Sequence, residues 1–130
     1  MTNFQITGRR MHTQMIRSIG KVKKASAYCN NQCGFLDDER LKYITEACDE
    51  VISGKLDSWF ITDCIQGGAG TSFNMNANEV IANRAAQLAG REIGVYDYIH
   101  PNDHINFGQS TNDVFPTAGR LTALLWSRCC

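Results

Sequence analysis

Between Met11 and Cys29 the apolar side chains Met11, Met15, Ile16, Ile19, Val22, Ala25 and Cys29 recur at intervals of three and four residues. That spacing stacks on one face of an α-helix and on no face of a strand, whose side chains alternate with period two. It predicts an amphipathic helix, with Arg17, Lys21 and Lys24 off the apolar stripe and the cluster Lys21, Lys23, Lys24 on a solvated face. Gly34 supplies a stop. Asp37, Asp38 and Glu39 then announce a second helix, because acids favour the positive end of the helix dipole. Leu41, Ile44, Cys48 and Val51 form its stripe, and Ser53-Gly54 ends it. Two such helices joined by a short loop make an antiparallel hairpin whose apolar faces still need partners.

The chain beyond the hairpin alternates loops with helices. Trp59–Ile65 is short and rich in aromatic and β-branched residues, and reads either as a strand or as a buried extended segment. It feeds the loop Gln66-Gly67-Gly68-Ala69-Gly70-Thr71-Ser72. A third helix is predicted to start near Asn74–Asn76, with Asn76 and Glu79 as a capping box. Val80, Ile81, Ala85 and Leu88 line its inner face before Gly90. A loop from Arg91 to Asn106 follows, and Ser110-Thr111-Asn112-Asp113 then caps a last helix. Pro116 is placed in about its first turn, and Leu121, Leu124 and Leu125 carry its apolar character. The fold class is mainly α.

Composition limits the function classes. The 130 residues are 43% hydrophobic and 20% charged, the balance of a folded domain. Thirteen basic residues offset thirteen acidic ones, which leaves no electrostatic footprint for nucleic acid or an acidic membrane. No apolar run reaches the ~20 residues of a membrane-spanning helix, and the N-terminus lacks the apolar centre of a secretory signal. The expectation is a cytoplasmic protein with no nucleic-acid or membrane partner. Six cysteines, Cys29, Cys33, Cys48, Cys64, Cys129 and Cys130, are then expected as free thiols. No histidine pair stands near them at zinc spacing, so no metal is expected.

Two loop-to-helix junctions are dense in hydroxyl and amide groups: Gly70-Thr71-Ser72 and Gln109-Ser110-Thr111-Asn112. A helix N-terminus offers unpaired N–H groups and partial positive charge, and glycines let a ligand approach the backbone. The chemistry points to an anion site for a carboxylate or phosphate; the plainer reading of the same residues is ordinary helix caps. Nucleotide signatures are missing. The glycine loop has no Lys-Ser/Thr after it, and Gly68-Ala69-Gly70 lacks the third glycine of a dinucleotide fingerprint. His12, His100 and His104 read as acid–base groups or as ordinary hydrogen-bonded surface histidines.

As strings, these loops say more. Gln66 through Ala85 closely resembles the first signature region of the fumarase/aspartase superfamily. His100-Pro101-Asn102-Asp103-His104 with Gln109-Ser110-Thr111-Asn112-Asp113 resembles the second, at the expected separation. Asn3–Gly8 and Ile16–Lys24 are also similar, so the likeness runs from Asn3 to Leu125. Gly67-Gly68-Ala69-Gly70-Thr71, where fumarases typically show Thr-Gly-Ser-Gly-Thr, and Ser110-Thr111-Asn112, where they tend to show Ser-Ser-Asn, resemble the aspartase branch.

The resemblance implies a helical N-terminal lyase domain over residues 1–109 and, over 110–130, the start of the first long helix of a central bundle. It implies elimination of ammonia from L-aspartate to give fumarate, without a cofactor, in a homotetramer whose active sites draw on three subunits. Thr71, Ser110 and Thr111 would hold the carboxylate on which charge accumulates, and Asn112 would contact the substrate near its amino group. His100, Asn102 and Asp103 match a turn that forms a second dicarboxylate site in fumarases, or else simply position the next helix. Family members run to roughly three times this length, beyond what one core usually holds. Their serine base, with its Gly-Ser-Ser loop, has no counterpart here, so this chain is expected to be inactive alone. The ending Leu124–Cys130 departs from the family pattern and reads as a truncated or frameshifted frame. Two alternatives stay open: a class II fumarate hydratase, and a non-catalytic remnant of the same scaffold.

Overall fold

A computed structural model describes residues 6–128; Asn3–Gln5 and Cys129–Cys130, named above, lie outside them. The described residues form four α-helices and no strand: α1 (Thr13–Gln32), α2 (Asp38–Ser53), α3 (Thr71–Leu88) and α4 (Thr111–Ser127). The α1–α2 hairpin is as predicted. His12 caps α1 by accepting from the Gln14 N–H, Asp37 caps α2 by accepting from the Arg40 N–H, and Gly54 ends α2. α2 packs on both α1 and α3, and α1 also packs on α4. The hairpin closes tightly at Gly20, where a Cβ would lie 3.0 Å from the Val51 side chain. Arg84 of α3 forks onto Glu50 of α2, with Nη2–Oε1 at 2.9 Å.

The apolar stripe of α1 departs from the expected one after Ile19. Ala25 and Cys29 are exposed, and the buried face runs through Lys23 and Ala27 instead. Lys23, placed by its cluster on a solvated face, has only 1% of its surface exposed. Its neighbour Lys24 does lie outside, paired with Asp49 at 2.6 Å. The stripe turned because a lysine can enter a core when partners for its N–H groups wait there, and periodicity counts only apolar residues.

α3 also differs from expectation. It begins at Thr71, not near Asn74–Asn76, and Asn76 is no cap: it is buried in the helix. Its Oδ1 accepts from the Ile61 N–H at 2.9 Å and its Nδ2 donates to the Trp59 carbonyl at 3.0 Å. Asparagine is a poor helix former, yet here the asparagines of α3 fasten neighbouring loops to the helix. Asn83 holds the Gly94 N–H at 2.9 Å and the Tyr96 hydroxyl at 3.2 Å. The stretch after α2 is instead a short 3-10 turn, Asp57–Trp59, and then an irregular segment that buries Phe60 and Thr62 but exposes Ile61 and Ile65, tied by an antiparallel bridge between Arg10 and Asp63.

Pro116 sits inside α4, beyond its first turn. Lacking an N–H, it cannot bond the Asn112 carbonyl four residues back. Leu124 and Trp126 are well exposed, whereas Leu121 and Leu125 are only half so, which narrows the expected apolar surface of α4. Cys29, Cys33, Cys48 and Cys64 are free thiols; Cys48 is fully buried, and burial pushes it up to about 12.

Candidate functional site

The glycine loop owes its shape to two anchors. Asp63 collects the backbone N–H groups of Ile65 (2.9 Å), Thr7 (2.7 Å) and Gly8 (3.0 Å). These donors stabilise the ionised form and hold its carboxyl at about 2. Gln66 spans the loop: its Nε2 donates to the Asp63 carbonyl at 2.6 Å and its Oε1 accepts from the Phe73 N–H at 2.9 Å. Gln66 thus satisfies one orphan N–H of α3 from outside the helix, which no local capping pattern announces.

Gly70 is the N-cap of α3, with φ +83°, and a Cβ there would stand 2.6 Å from the Phe115 ring of α4. Only glycine combines that left-handed backbone with so close an approach. One turn on, Asn74 Nδ2 donates to Thr111 Oγ1 at 3.0 Å. These two contacts set the first turns of α3 and α4 side by side, with Thr71 between the two α3 residues that make them. The N-terminal ends of both helices, which carry all four candidates Thr71, Ser110, Thr111 and Asn112, are thereby brought together.

Hydrogen-bond polarity in this cluster is one-sided. Ser110 caps α4, its Oγ accepting from the Asn112 N–H at 3.2 Å. Thr111 Oγ1 likewise accepts from Asn74. Each hydroxyl has used an acceptor lone pair, and its O–H remains to donate. Among the described residues, the Thr71 hydroxyl and the N–H groups of Thr71, Ser72 and Thr111 find no partner. Thr71, Ser110 and Asn112 are exposed, and Thr111 is half-buried. The unpartnered N–H groups at two adjacent helix starts suit an anion. A recess lined by Thr62, Asp63, Gln66, Gly67 and Ser72 borders the cluster without including it. The cluster itself lies open.

Beneath it is a polar hub that sequence reasoning missed. Lys23 Nζ donates to Asn106 Oδ1 and to Gln109 Oε1, each at 2.9 Å. Asn106 Oδ1 also accepts from Asn74 Nδ2 and Asn78 Nδ2, both at 3.2 Å. Burial pushes Lys23 down to about 7. Nothing local in the sequence separates Lys23 from Lys21 or Lys24. The one available signal is that position 23 follows Ile16 and Ile19 on the helical face.

His100, Asn102 and Asp103 stand apart from the four candidates, on a wide turn over Pro101–Ile105 with i→i+5 hydrogen bonds. His100 Nδ1 accepts from the N–H groups of Asn102 (3.2 Å) and Asp103 (3.3 Å), while both of those side chains are exposed. The Asp103 carboxylate lies 3.3 Å from the same nitrogen. His104 accepts from the His100 N–H, and burial followed by the nearby Arg40 lowers its pKa. His12 caps α1 and packs on the Trp126 ring at 4.8 Å. Among the described residues, no group of three or more His, Cys, Asp or Glu side chains is placed to hold a metal ion. No described helix is long and apolar enough to cross a membrane.

Comparison with known proteins adds the wider setting. A family model described as "Lyase" matches residues 1–127. An aspartate ammonia-lyase from Bacillus sp. is 58% identical over 94% of this chain and 26% of its own length. A class II fumarate hydratase from Halobacterium salinarum is 54% identical over the same shares. The crystal structure of a fumarate lyase:delta crystallin from Brucella melitensis in native form superposes with a TM-score of 0.92, at 49% identity, over 95% of this chain and 29% of that one. The chain spans about a quarter of the curated relatives it matches, less than the third expected from sequence.

Proposed function

Since the chain belongs to this lyase family, over residues 1–127, we propose that it carries the carboxylate-holding part of an aspartate ammonia-lyase site. The supporting observation is the one-sided polarity at the two helix starts: Ser110 and Thr111 oxygens occupied as acceptors, their O–H groups left to donate. In the proposed reaction a base takes a proton from the carbon beside the side-chain carboxylate of L-aspartate. The C–N bond then breaks, ammonia leaves, and the electron pair forms the double bond of fumarate. Between those steps the carboxylate carries the extra charge of an enolate-like dianion. Thr71, Ser110 and Thr111 would stabilise it as preorganised donors, a role worth several kcal/mol in oxyanion sites generally (about 3 per donor). Asn112, exposed on the first turn of α4, would face the amino end.

On this reading the base and the remaining walls come from the other three quarters of a full-length lyase, and the 130 residues alone do not turn over. Further helices of a bundle, in a cytoplasmic homotetramer, would cover Leu124 and Trp126. We extend the proposal to the wide turn only as a helix-positioning element, because His100 is spent capping it. The second reading is a class II fumarate hydratase, favoured by the 54% identical relative of that name. A chimera carrying residues 1–127 on the body of the Bacillus enzyme decides between them. Fumarate formation from L-aspartate, abolished by Thr71→Val or Thr111→Val, is expected. Turnover of L-malate instead would establish the hydratase, and a folded chimera inactive on both would defeat either enzyme reading.

A further inference from the structure

A lysine with 1% exposure whose hydrogen-bond partners among the described residues are two neutral amide oxygens needs a reason to be there. An apolar side chain would fill the same space without removing an amine from water, so Lys23 adds little to stability by itself. What it does impose is direction. Below about pH 7 the buried amine is an ammonium with donors only, so both amides it meets must then present oxygen. Asn106 therefore turns Oδ1 inward, and its Nδ2 is left to donate to the Gln109 carbonyl at 3.2 Å. Gln109, its Oε1 on Lys23, donates through Nε2 to the Ile105 carbonyl at 2.8 Å. With an oxygen at the hub, Asn74 must offer it Nδ2, and that same NH2 group reaches Thr111 Oγ1. Thr111 is left as acceptor on the protein side and donor on the open side.

From this chain of contacts we infer that Lys23 is a positioning residue: through Asn106 and Asn74 it fixes the hydrogen-bond polarity of Thr111, so that the hydroxyl donates outward to the substrate carboxylate. The part concerning substrate rests on the dicarboxylate reading above; the part concerning Thr111 does not. Lys23 reaches the site from α1, Asn74 and Asn78 from α3, and Asn106 and Gln109 from the segment before α4, so the relay couples three separate elements.

The test uses the 130-residue chain, ligand-free and below pH 7 so that Lys23 is charged, with assigned side-chain amide resonances of Asn74 and Asn106 and the methyl and backbone amide of Thr111. In folded Lys23→Met, the Asn74 and Asn106 NH2 protons are expected to lose their protection from exchange, and the Thr111 signals to move. If those signals stay where they are in wild type, the relay is wrong. Should Lys23→Met not fold, Asn74→Ala removes the relay downstream and leaves Lys23 with Asn106 and Gln109. Thr111 must then shift while Gln109 does not, and an unmoved Thr111 overturns the proposal. Fumarate titration adds a second arm: the Thr111 response should weaken at least about fivefold in Lys23→Met, the scale of one misdirected hydrogen bond. A wild-type chain with no fumarate response counts against the dicarboxylate reading alone, since the relay is judged on the ligand-free spectra.

Discussion

The interior of the α1–α2 hairpin and the ground beneath the two helix starts are both buried, and they are built in opposite ways. The first is apolar: Ile16, Ile19, Ile44, Ala47 and Val51 touch one another with almost no exposed surface. Contacts of that kind are non-directional, and any one of them can be partly replaced by its neighbours. The second is polar, and Lys23, Asn74, Asn78, Asn106 and Gln109 each depend on one to three specific atoms of another element. The Oδ1 atoms of Asn74 and Asn78 are buried without a partner among the described residues, so the hub costs stability, but it sets the direction of each bond in a way a hydrophobic cluster does not. The hairpin supplies stability, and the hub orients the candidate site.

Four perturbations test that contrast, taken from the largest effect to the smallest. Ile44→Ala, in the apolar interior, should lower stability by ~3 kcal/mol in a urea melt. It should leave the Thr111 resonances in place; a shift there as large as in Lys23→Met would erase the distinction.

The next concerns pH. Lys23 lies at about 7 in the folded chain against its ordinary 10.5, so between those values the unfolded chain binds the additional proton. Stability therefore rises with pH across that window, by up to about 1.4 kcal/mol per unit. Cys48 acts with the opposite sign. At about 12 against an ordinary 9.0, it keeps its proton in the folded chain while the unfolded chain loses it, so its contribution falls above pH 9, offsets the Lys23 rise up to 10.5 and leaves a net fall beyond that. Urea melts from pH 7 to 11 should show a rise towards pH 9 that is lost in Lys23→Met, and a fall that is lost in Cys48→Ala. A flat wild-type profile between pH 7 and 9 would mean that the amine is not desolvated as its burial indicates.

Third, Gly70→Ala must place a Cβ against the Phe115 ring on a left-handed backbone. The strain should destabilise the chain by ~2 kcal/mol in thermal or urea unfolding and should separate the two helix starts. An unchanged melt would show that α4 yields freely, and that the close approach of the helix starts is not enforced. Fourth, Lys24→Met removes an exposed ion pair with Asp49. The loss should stay under ~1 kcal/mol, and its contrast with Lys23→Met is the sharpest single comparison, since the two lysines are adjacent.

Much of this arrangement was legible in sequence. The hairpin, the Asp37 start and Gly54 stop of α2, the Ser110 start of α4 and the overall helical class follow from period, caps and breakers, which act over a few residues. The strings around Gly67–Ser72 and Gln109–Asp113 located the candidate residues before any coordinates. What failed did so for one kind of reason. Asn76 was read as a cap because capping patterns are local, but its partners are the backbone groups of Trp59 and Ile61. The start of α3 was placed too late because the residue that holds its first turn is Gln66, before the helix begins. Charge predicts exposure for Lys23 unless a partner is known, and its partners lie 83 and 86 residues away.

By itself the amino-acid order determined where helices begin and end, which faces seek burial, and that hydroxyl and amide groups gather at two helix starts. Those properties depend on torsional preference and spacing, both written along the chain. Only the tertiary structure decided that Gly70 meets Phe115, that Asn74 meets Thr111, and that one lysine of three turns inward. Directional bonds between distant residues form only after packing has brought their partners within about 3 Å, and no local pattern encodes which partner that will be.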